Sequence, residues 1–161
     1  MMVTFADDFR NACPDDFNTA YIEPPFQTKE EKAERLGLSQ DRIRELKSIK
    51  VKSFNGNIND YVVSKREHIN VNNIIGYGMH NPETWYDALD FTVCHKPVSF
   101  IMYNKDTFPV YIDCEDNDDL PSVIEVDGKY FIYGGGTHRL TIAKCTGCDK
   151  AYVDVYCKKV E

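Results

Sequence analysis

The sequence contains no apolar run that approaches the roughly 18 residues of a membrane-spanning helix, so no membrane segment is expected. Positive charge is also scarce, because 19 Lys and Arg face 26 Asp and Glu and leave a net charge of −7. Broad electrostatic binding to nucleic acid needs clustered basic residues, and this composition disfavours it. The first residues lack the basic and apolar regions of a secretion signal, and we therefore expect a cytoplasmic protein.

The six cysteines are expected to be reduced thiols, because no secretion signal points to an oxidising compartment. Cys145 and Cys148 have the Cys-x-x-Cys spacing of a zinc site or a redox pair, which Cys94, His95 and Cys157 could complete. The pair stands where a predicted helix ends and a strand begins. This context predicts buried packing residues rather than ligands, so we predict no resident metal site.

The length of 161 residues suits one compact domain with an appendage. Residues 1–27 hold acids, prolines and aromatics without a regular period, and we predict an extended arm. Its aromatics predict docking on the domain, on a second copy in a homodimer, or on a host protein. A helical hairpin is expected at 28–50, and the main domain at 51–161.

The hairpin is predicted from its capping residues. Thr28 and Glu31 form the ends of a capping box, and Gly37 ends the first helix. Ser39 is placed to cap the second helix. That helix carries three apolar residues on one face, which are Ile43, Leu46 and Ile49.

The same hairpin has a second interpretation, as a DNA-binding helix-turn-helix. Ala33, Gly37 and Ile43 occupy the small, turn and buried-branched positions typical of that unit. Its recognition helix would present three polar side chains to DNA, which are Gln40, Arg42 and Arg44. The unit normally has a third supporting helix, which the sequence does not reveal, and a hairpin that packs against a sheet is the competing interpretation.

The remaining chain predicts an α+β fold, a small mixed sheet with short helices. Strand patterns occur at 60–63, 68–71, 98–103, 109–114, 122–126, 130–133 and 151–156. Short helices are expected at 82–92 and 137–146, and Trp85 of the first should enter the core. Asp127 and Gly128 predict a tight turn between two strands.

The most informative segment is Tyr130–Lys144, where an aromatic and β-branched strand meets three glycines and then a helix. Glycines let main-chain amides approach a ligand, and a helix start presents free N–H groups and a positive dipole end. The predicted phosphate-binding residues are Gly134, Gly135, Gly136, Thr137, His138 and Arg139. The alternative is an ordinary strand-to-helix turn in which Arg139 pairs with Asp113 or Glu125. Lys144 is expected to face solvent.

The motif Asp127–Leu140, DGKYFIYGGGTHRL, followed by a helix that ends at Gly147, resembles the core of the ParB/sulfiredoxin superfamily. The resemblance covers residues 97–157 best and extends more weakly over 49–96. It implies a ParB/sulfiredoxin-like fold whose loop holds the phosphates of a nucleotide. The sulfiredoxin branch has a catalytic cysteine where this chain has Thr137, and a hydroxyl does not replace a low-pKa thiol. Sulfiredoxin activity is therefore not expected.

The resemblance also implies a cofactor, since ParB-type partition proteins bind CTP and related serine kinases use ADP. ATP, ADP or CTP with Mg²⁺ is the expected ligand. The sequence does not identify the nucleobase, nor whether the protein hydrolyses the nucleotide or transfers a phosphoryl group. Candidates for a general base or a Mg²⁺ ligand are Asp113, Glu115 and Glu125. A solvated connector is the competing interpretation of the acidic loop 113–119. The alternative function is a DNA-associated regulatory or partition-like module, in which the hairpin contacts DNA and the nucleotide acts as a switch.

Overall fold

A computed structural model describes residues 28–92 and 104–160 of the chain. The arm predicted at 1–27 and the strand predicted at 98–103 lie outside the described residues. Within the described ranges the chain forms a mixed six-stranded sheet with several short helices, which confirms the predicted α+β class.

The sheet joins strands from both halves of the chain. In chain order these are β1 (Lys52–Ser53), β2 (Tyr61–Asn70), β3 (Ile74–Tyr77), β4 (Ser122–Val126), β5 (Lys129–Tyr133) and β6 (Lys150–Lys158). Their order across the sheet is β1-β3-β5-β4-β6-β2. The pairs β4–β5 and β2–β6 are antiparallel, and the other neighbours are parallel. The predicted tight turn at Asp127 and Gly128 joins β4 to β5.

The helices are short. The α-helices are α1 (Lys29–Arg35), α2 (Gln40–Ser48), α3 (Phe108–Ile112) and α4 (Thr137–Thr146). The 3₁₀ turns are Ile58–Asp60, Val71–Asn73, Asp87–Phe91 and Gly134–Gly136. None of the helices in the described ranges has the length and apolar character needed to cross a membrane.

The predicted helical hairpin is present as α1 and α2, and each helix begins at its predicted cap. The Thr28 hydroxyl accepts a hydrogen bond from the Glu31 amide at 3.1 Å. The Ser39 hydroxyl accepts one from the Arg42 amide at 3.0 Å. These bonds satisfy amides that a first helical turn leaves without intrahelical partners.

The hairpin packs on the rest of the fold through buried residues. Lys32 is 5% exposed, and its ammonium donates to the carbonyls of Leu89 at 3.1 Å and Thr92 at 2.8 Å. A buried charge needs such partners because its desolvation is costly. Leu46 of α2 is buried in the same core as Trp85, whose predicted burial is confirmed.

The core lies on the face of the sheet where alternate residues of β6 are apolar. Ala151, Val153 and Val155 are buried, whereas the residues between them are half-buried. This period of two is what a strand with one face on the core requires. Helix α4 contributes Leu140 and Ile142 to the same cluster.

The strand predicted at 109–114 is wrong, because these residues form most of helix α3. Phe108, Tyr111 and Ile112 are buried at the i, i+3 and i+4 spacing of a helix face. Pro109 lies in the first turn, where a missing N–H breaks no intrahelical bond. A short apolar run fits either structure, and here burial against the core selects the helix.

The helix predicted at 82–92 is reduced to the 3₁₀ turn Asp87–Phe91. Thr84 and Asp87 set where the helical turn begins, because each amide donates to the other residue's side chain at 3.2 Å. This reciprocal i, i+3 pattern is that of a capping box, so the chain does not become helical at residue 82 as predicted.

The strands predicted at 60–63 and 68–71 are one continuous strand, β2. It pairs with β6 over its whole length, with a register shift between Val63 and Lys65. The intervening polar residues resemble a turn in the sequence, but the neighbouring strand supplies hydrogen bonds to their main chain and extends them.

Lys144 was predicted to face solvent, but its side chain is half-buried. Its ammonium donates to the Asn72 carbonyl at 3.2 Å and lies 5.5 Å from the centre of the Trp85 ring. Burial lowers the pKa of Lys144 from its ordinary value. The long side chain therefore covers the core at the end of α4.

Arg42 joins the hairpin to the C-terminus of α4. Its guanidinium donates to the carbonyls of Cys145 at 3.0 Å and Lys144 at 2.7 Å, and it also pairs with Glu45 at 2.9 Å. The last carbonyls of a helix lack intrahelical partners and carry the negative end of the dipole, so a cation suits them. Arg42 is thus a capping residue of α4.

We predict that Arg42→Ala lowers the free energy of unfolding by about 1–3 kcal/mol, because it leaves partly buried carbonyls without donors. Arg44→Ala is the matched control on the same helix. The Arg44 side chain is 76% exposed and pairs only with Asp41 among the contacts described, so its loss should change stability by less than about 0.5 kcal/mol. Urea unfolding measures both variants, and equal effects would contradict the capping role.

Candidate functional site

The candidate site lies where β5 meets α4. Strand β5 ends at Tyr133, the three glycines form a 3₁₀ turn, and α4 begins at Thr137. Gly134 has a φ of +65°, which is energetically unfavourable for any residue that carries a Cβ atom. This glycine turns the chain out of the sheet. The sequence predicted this junction and the extent of α4 correctly.

Gly136 is buried, and its lack of a side chain allows close packing. A Cβ atom at this position would lie 2.9 Å from the Cβ of Pro121 and 3.2 Å from the Ser122 amide nitrogen. The glycine turn therefore rests directly on the start of β4. Of the six predicted phosphate-binding residues, Gly136 is therefore a packing residue, which lies against β4 and not on the open side of the loop.

Arg139 is also directed into the protein. It is 7% exposed, and its guanidinium donates to the carbonyls of Asp119 and Gly135, the latter at 3.1 Å. Its Nη2 atom lies 3.7 Å from the Asp119 carboxylate. The sequence interpretation placed Arg139 on a ligand or on Asp113 or Glu125, whereas the structure makes it the link between the acidic loop and the glycine turn.

An open pocket of about 500 Å³ lies at this junction. Its lining residues are His80, Phe91, Asp119, Gly134, Gly135, Thr137 and His138. Four of the six predicted phosphate-binding residues therefore line it. The Thr137 hydroxyl donates to the Gly134 carbonyl at 3.3 Å, which holds the turn against the first residue of α4.

Three lining residues were missed by sequence reasoning. Asp119 ends the acidic loop that had drawn attention to Asp113 and Glu115, so a signal for it existed. His80 and Phe91 come from a distant part of the chain, and nothing local connects them with the glycines. Their rings stack with centroids 4.7 Å apart and planes inclined by 26°.

The candidate bases and Mg²⁺ ligands lie away from the pocket. Asp113 and Glu115 hold His68 from both sides, with Nδ1–Oδ1 and Nε2–Oε1 distances of 2.5 Å and 2.6 Å. Glu125 pairs with Lys65 at 3.2 Å. In residues 28–92 and 104–160, no group of three His, Cys, Asp or Glu side chains has an arrangement suited to a metal ion.

Cys145 and Cys148 are buried free thiols. The Cys145 thiol donates to the Trp85 carbonyl at 3.4 Å, and Cys148 Sγ lies 3.5 Å from the Thr146 hydroxyl. Burial raises the pKa of Cys145 to about 12 and also raises the pKa of Cys148. Both thiols thus favour the protonated form, whereas metal binding and redox exchange need the thiolate.

A second pocket, of about 470 Å³, lies where the hairpin meets α3 and the end of α4. The charged side chains on its wall are Arg42, Lys105 and Asp149. Arg42 already caps α4, and the glycine turn does not reach this pocket. The residues predicted for a phosphate site therefore line only the first of these two pockets.

Comparison of the chain with protein-family profiles, with curated proteins and with solved structures gave no match. The chemistry of the site is consequently inferred from the geometry of the pocket and from the residues that line it.

The His68 cluster generates a pH prediction. Hydrogen bonds that the imidazole donates to Asp113 and, to a smaller extent, to Glu115 raise the pKa of His68 above its ordinary value. A raised folded-state pKa stabilises the protein below the unfolded pKa, about 6.5, and this contribution is lost as the pH rises through the folded value. We expect His68→Gln to reduce the stability advantage at about pH 5.5 relative to about pH 8.5, measured by urea unfolding.

The control for this experiment is Arg66→Gln, a neighbouring substitution on β2 that removes the pairing of Arg66 with Asp154 at 2.8 Å and leaves His68, Asp113 and Glu115 in place. It should leave the pH dependence of unfolding as in the original protein. If the original protein and His68→Gln show the same pH dependence, His68 is not the source of the stability at low pH and the prediction is contradicted.

Proposed function

We propose that this chain is a nucleotide-binding domain of the ParB/sulfiredoxin type, which holds the phosphates of ATP, ADP or CTP, with Mg²⁺, at the turn Gly134–His138. The observation that carries the proposal is the open pocket whose wall is formed by Gly134, Gly135 and the first residues of α4. The resemblance of Asp127–Leu140 to that superfamily supports the same assignment.

The start of α4 has the properties of an anion site. The helix has ten residues, and its N-cap Gly136 offers no side chain to accept a hydrogen bond from the first amides. Such amides carry the positive end of the helix dipole, which favours an anion beside them. Phosphate oxygens suit this position, and Gly134 and Gly135 leave room for their approach.

Asp119 favours a metal-bound nucleotide over a bare phosphate. Its side chain is 94% exposed and belongs to the pocket wall, where the carboxylate would repel an anion. Mg²⁺ commonly uses one or two carboxylates together with phosphate oxygens and water. Asp119 is therefore the residue that would hold Mg²⁺ beside the phosphates, in place of Asp113, Glu115 or Glu125.

Arg139 has a positioning role in this proposal. Its donors bind the main chain of the acidic loop and of the glycine turn, so it sets the distance between Asp119 and Gly135. His138 and Thr137 remain the side chains nearest the phosphates. The proposal concerns binding and orientation, and among the described residues no thiol lines this pocket to support sulfiredoxin chemistry.

The structure offers less to the DNA-associated alternative. Arg42 uses its guanidinium to cap α4, and Arg44 pairs with Asp41 at 2.9 Å. Gln40 alone of the three candidates has no charged partner among the contacts described, and an exposed Gln is not a nucleic-acid site in itself. We therefore propose nucleotide binding without a DNA-binding role for α2.

The first test is thermal unfolding with ATP, ADP, CTP or GTP, each with Mg²⁺. At a concentration one hundred times its dissociation constant, a ligand specific to the native state should raise the midpoint by roughly 5–10 °C. Gly135→Ala should abolish most of this shift, because its methyl group enters the pocket wall. The new Cβ would meet only Nη2 of Arg139, at 3.8 Å, so the fold should tolerate it.

Gly128→Ala is the matched control, since it makes the same chemical change at the β4–β5 turn away from the pocket. It can lower the midpoint without ligand, but the shift caused by the nucleotide should persist. The proposal fails if no nucleotide raises the midpoint, or if Gly135→Ala and Gly128→Ala respond alike.

A further inference from the structure

We infer that the pocket selects a ligand with an aromatic base, and that this base stacks on the imidazole of His80. The inference rests on the proposed phosphate site and specifies the rest of the ligand. It distinguishes a nucleotide from a simple polyphosphate or a phosphorylated side chain.

The platform is built from two pocket residues whose rings already stack. His80 follows β3, and Phe91 ends the 3₁₀ turn Asp87–Phe91. Their centroids are 4.7 Å apart, and their planes are nearly parallel at 26°. Phe91 stacks on the imidazole, and His80 is nevertheless exposed, which leaves part of its ring accessible to a further ring.

Tyr77 supports this stack from below. Its ring meets His80 edge-on, with centroids 5.9 Å apart, and meets Phe91 edge-on at 5.8 Å. Tyr77 is 1% exposed, and its hydroxyl is hydrogen bonded to Thr141 of α4. The aromatic platform is therefore fixed to the same helix whose first turn faces the phosphates.

A purely structural aromatic cluster explains Tyr77 and Phe91 but not His80. The first two rings bury apolar surface, and Phe91 packs against the core. An exposed imidazole adds little to that burial. Its position on the rim of a pocket of about 500 Å³, which also contains Gly134 and Gly135, places a stacking surface and a phosphate loop in one cavity. This volume suits a small-molecule ligand that carries both groups.

Stacking of a base on an aromatic ring is tolerant of base identity, because every base has a π face. The platform therefore accounts for recognition of a nucleotide as a class. Choice among the bases requires hydrogen bonds that the stack does not supply.

The test compares two probes by isothermal titration calorimetry, inorganic tripolyphosphate and the nucleoside triphosphate that stabilises the protein most, each with Mg²⁺. The original protein should bind the nucleotide more tightly. His80→Ala should weaken nucleotide binding roughly tenfold or more while leaving tripolyphosphate binding unchanged. His80→Phe, which retains a ring, should restore most of the nucleotide affinity.

The inference is overturned if the original protein binds both probes equally, if His80→Ala weakens both equally, or if His80→Phe behaves like His80→Ala. The last two results would make His80 a phosphate contact or a hydrogen-bonding group. If the original protein binds neither tripolyphosphate nor the nucleotide, the phosphate site itself is overturned. Failure of the phosphate site can therefore be distinguished from failure of the stacking on His80. Circular dichroism of each variant checks that the fold is retained.

Discussion

The pocket depends on the hydrogen bonds that the buried guanidinium of Arg139 donates. A charge removed from water must find hydrogen-bond partners inside the protein, and Arg139 finds them in the carbonyls of Asp119 and Gly135. One carbonyl belongs to the acidic loop and the other to the glycine turn. The same contact that satisfies the charge therefore brings an exposed carboxylate beside a helix start, and both line one pocket.

Helix α4 is held by other contacts as well. Arg42 caps its last carbonyls, and Thr141 in its middle bonds to Tyr77 of β3. A binding site built on such a helix is ordered before a ligand arrives, which lowers the entropic cost of binding. The aromatic platform and the glycine turn share this support, because Tyr77 contacts the ring of His80.

Features with a local cause could be predicted from the sequence. Thr28 and Ser39 cap helices because their hydroxyls reach amides only three residues ahead. The strand, glycine turn and helix around Gly134 arise in the same way from neighbouring residues. Features with a distant cause could not be predicted, since no local signal brings His80 and Phe91 to Gly134, or commits Arg139 to a main-chain carbonyl of Asp119.

Where a sequence pattern fits two local structures or roles, packing determines which of them the chain adopts. The apolar run that begins at Phe108 fits a strand or a helix, and burial of Tyr111 and Ile112 together selects α3. Arg42 fits a DNA-reading helix by spacing, but its guanidinium donates to the carbonyls at the end of α4. In both cases the observed structure depends on which other parts of the chain pack against these residues.

The central claim is that main-chain amides at the start of α4 bind phosphate oxygens. Its most direct test is a titration of the isotope-labelled protein with ATP and Mg²⁺, and with CTP and Mg²⁺, followed by amide NMR shifts. The account predicts that at least one nucleotide moves the amide resonances of Gly135, Thr137 and His138 most, while that of Gly128 stays in place. Unchanged resonances at these three amides, or larger shifts elsewhere in the fold, would contradict it.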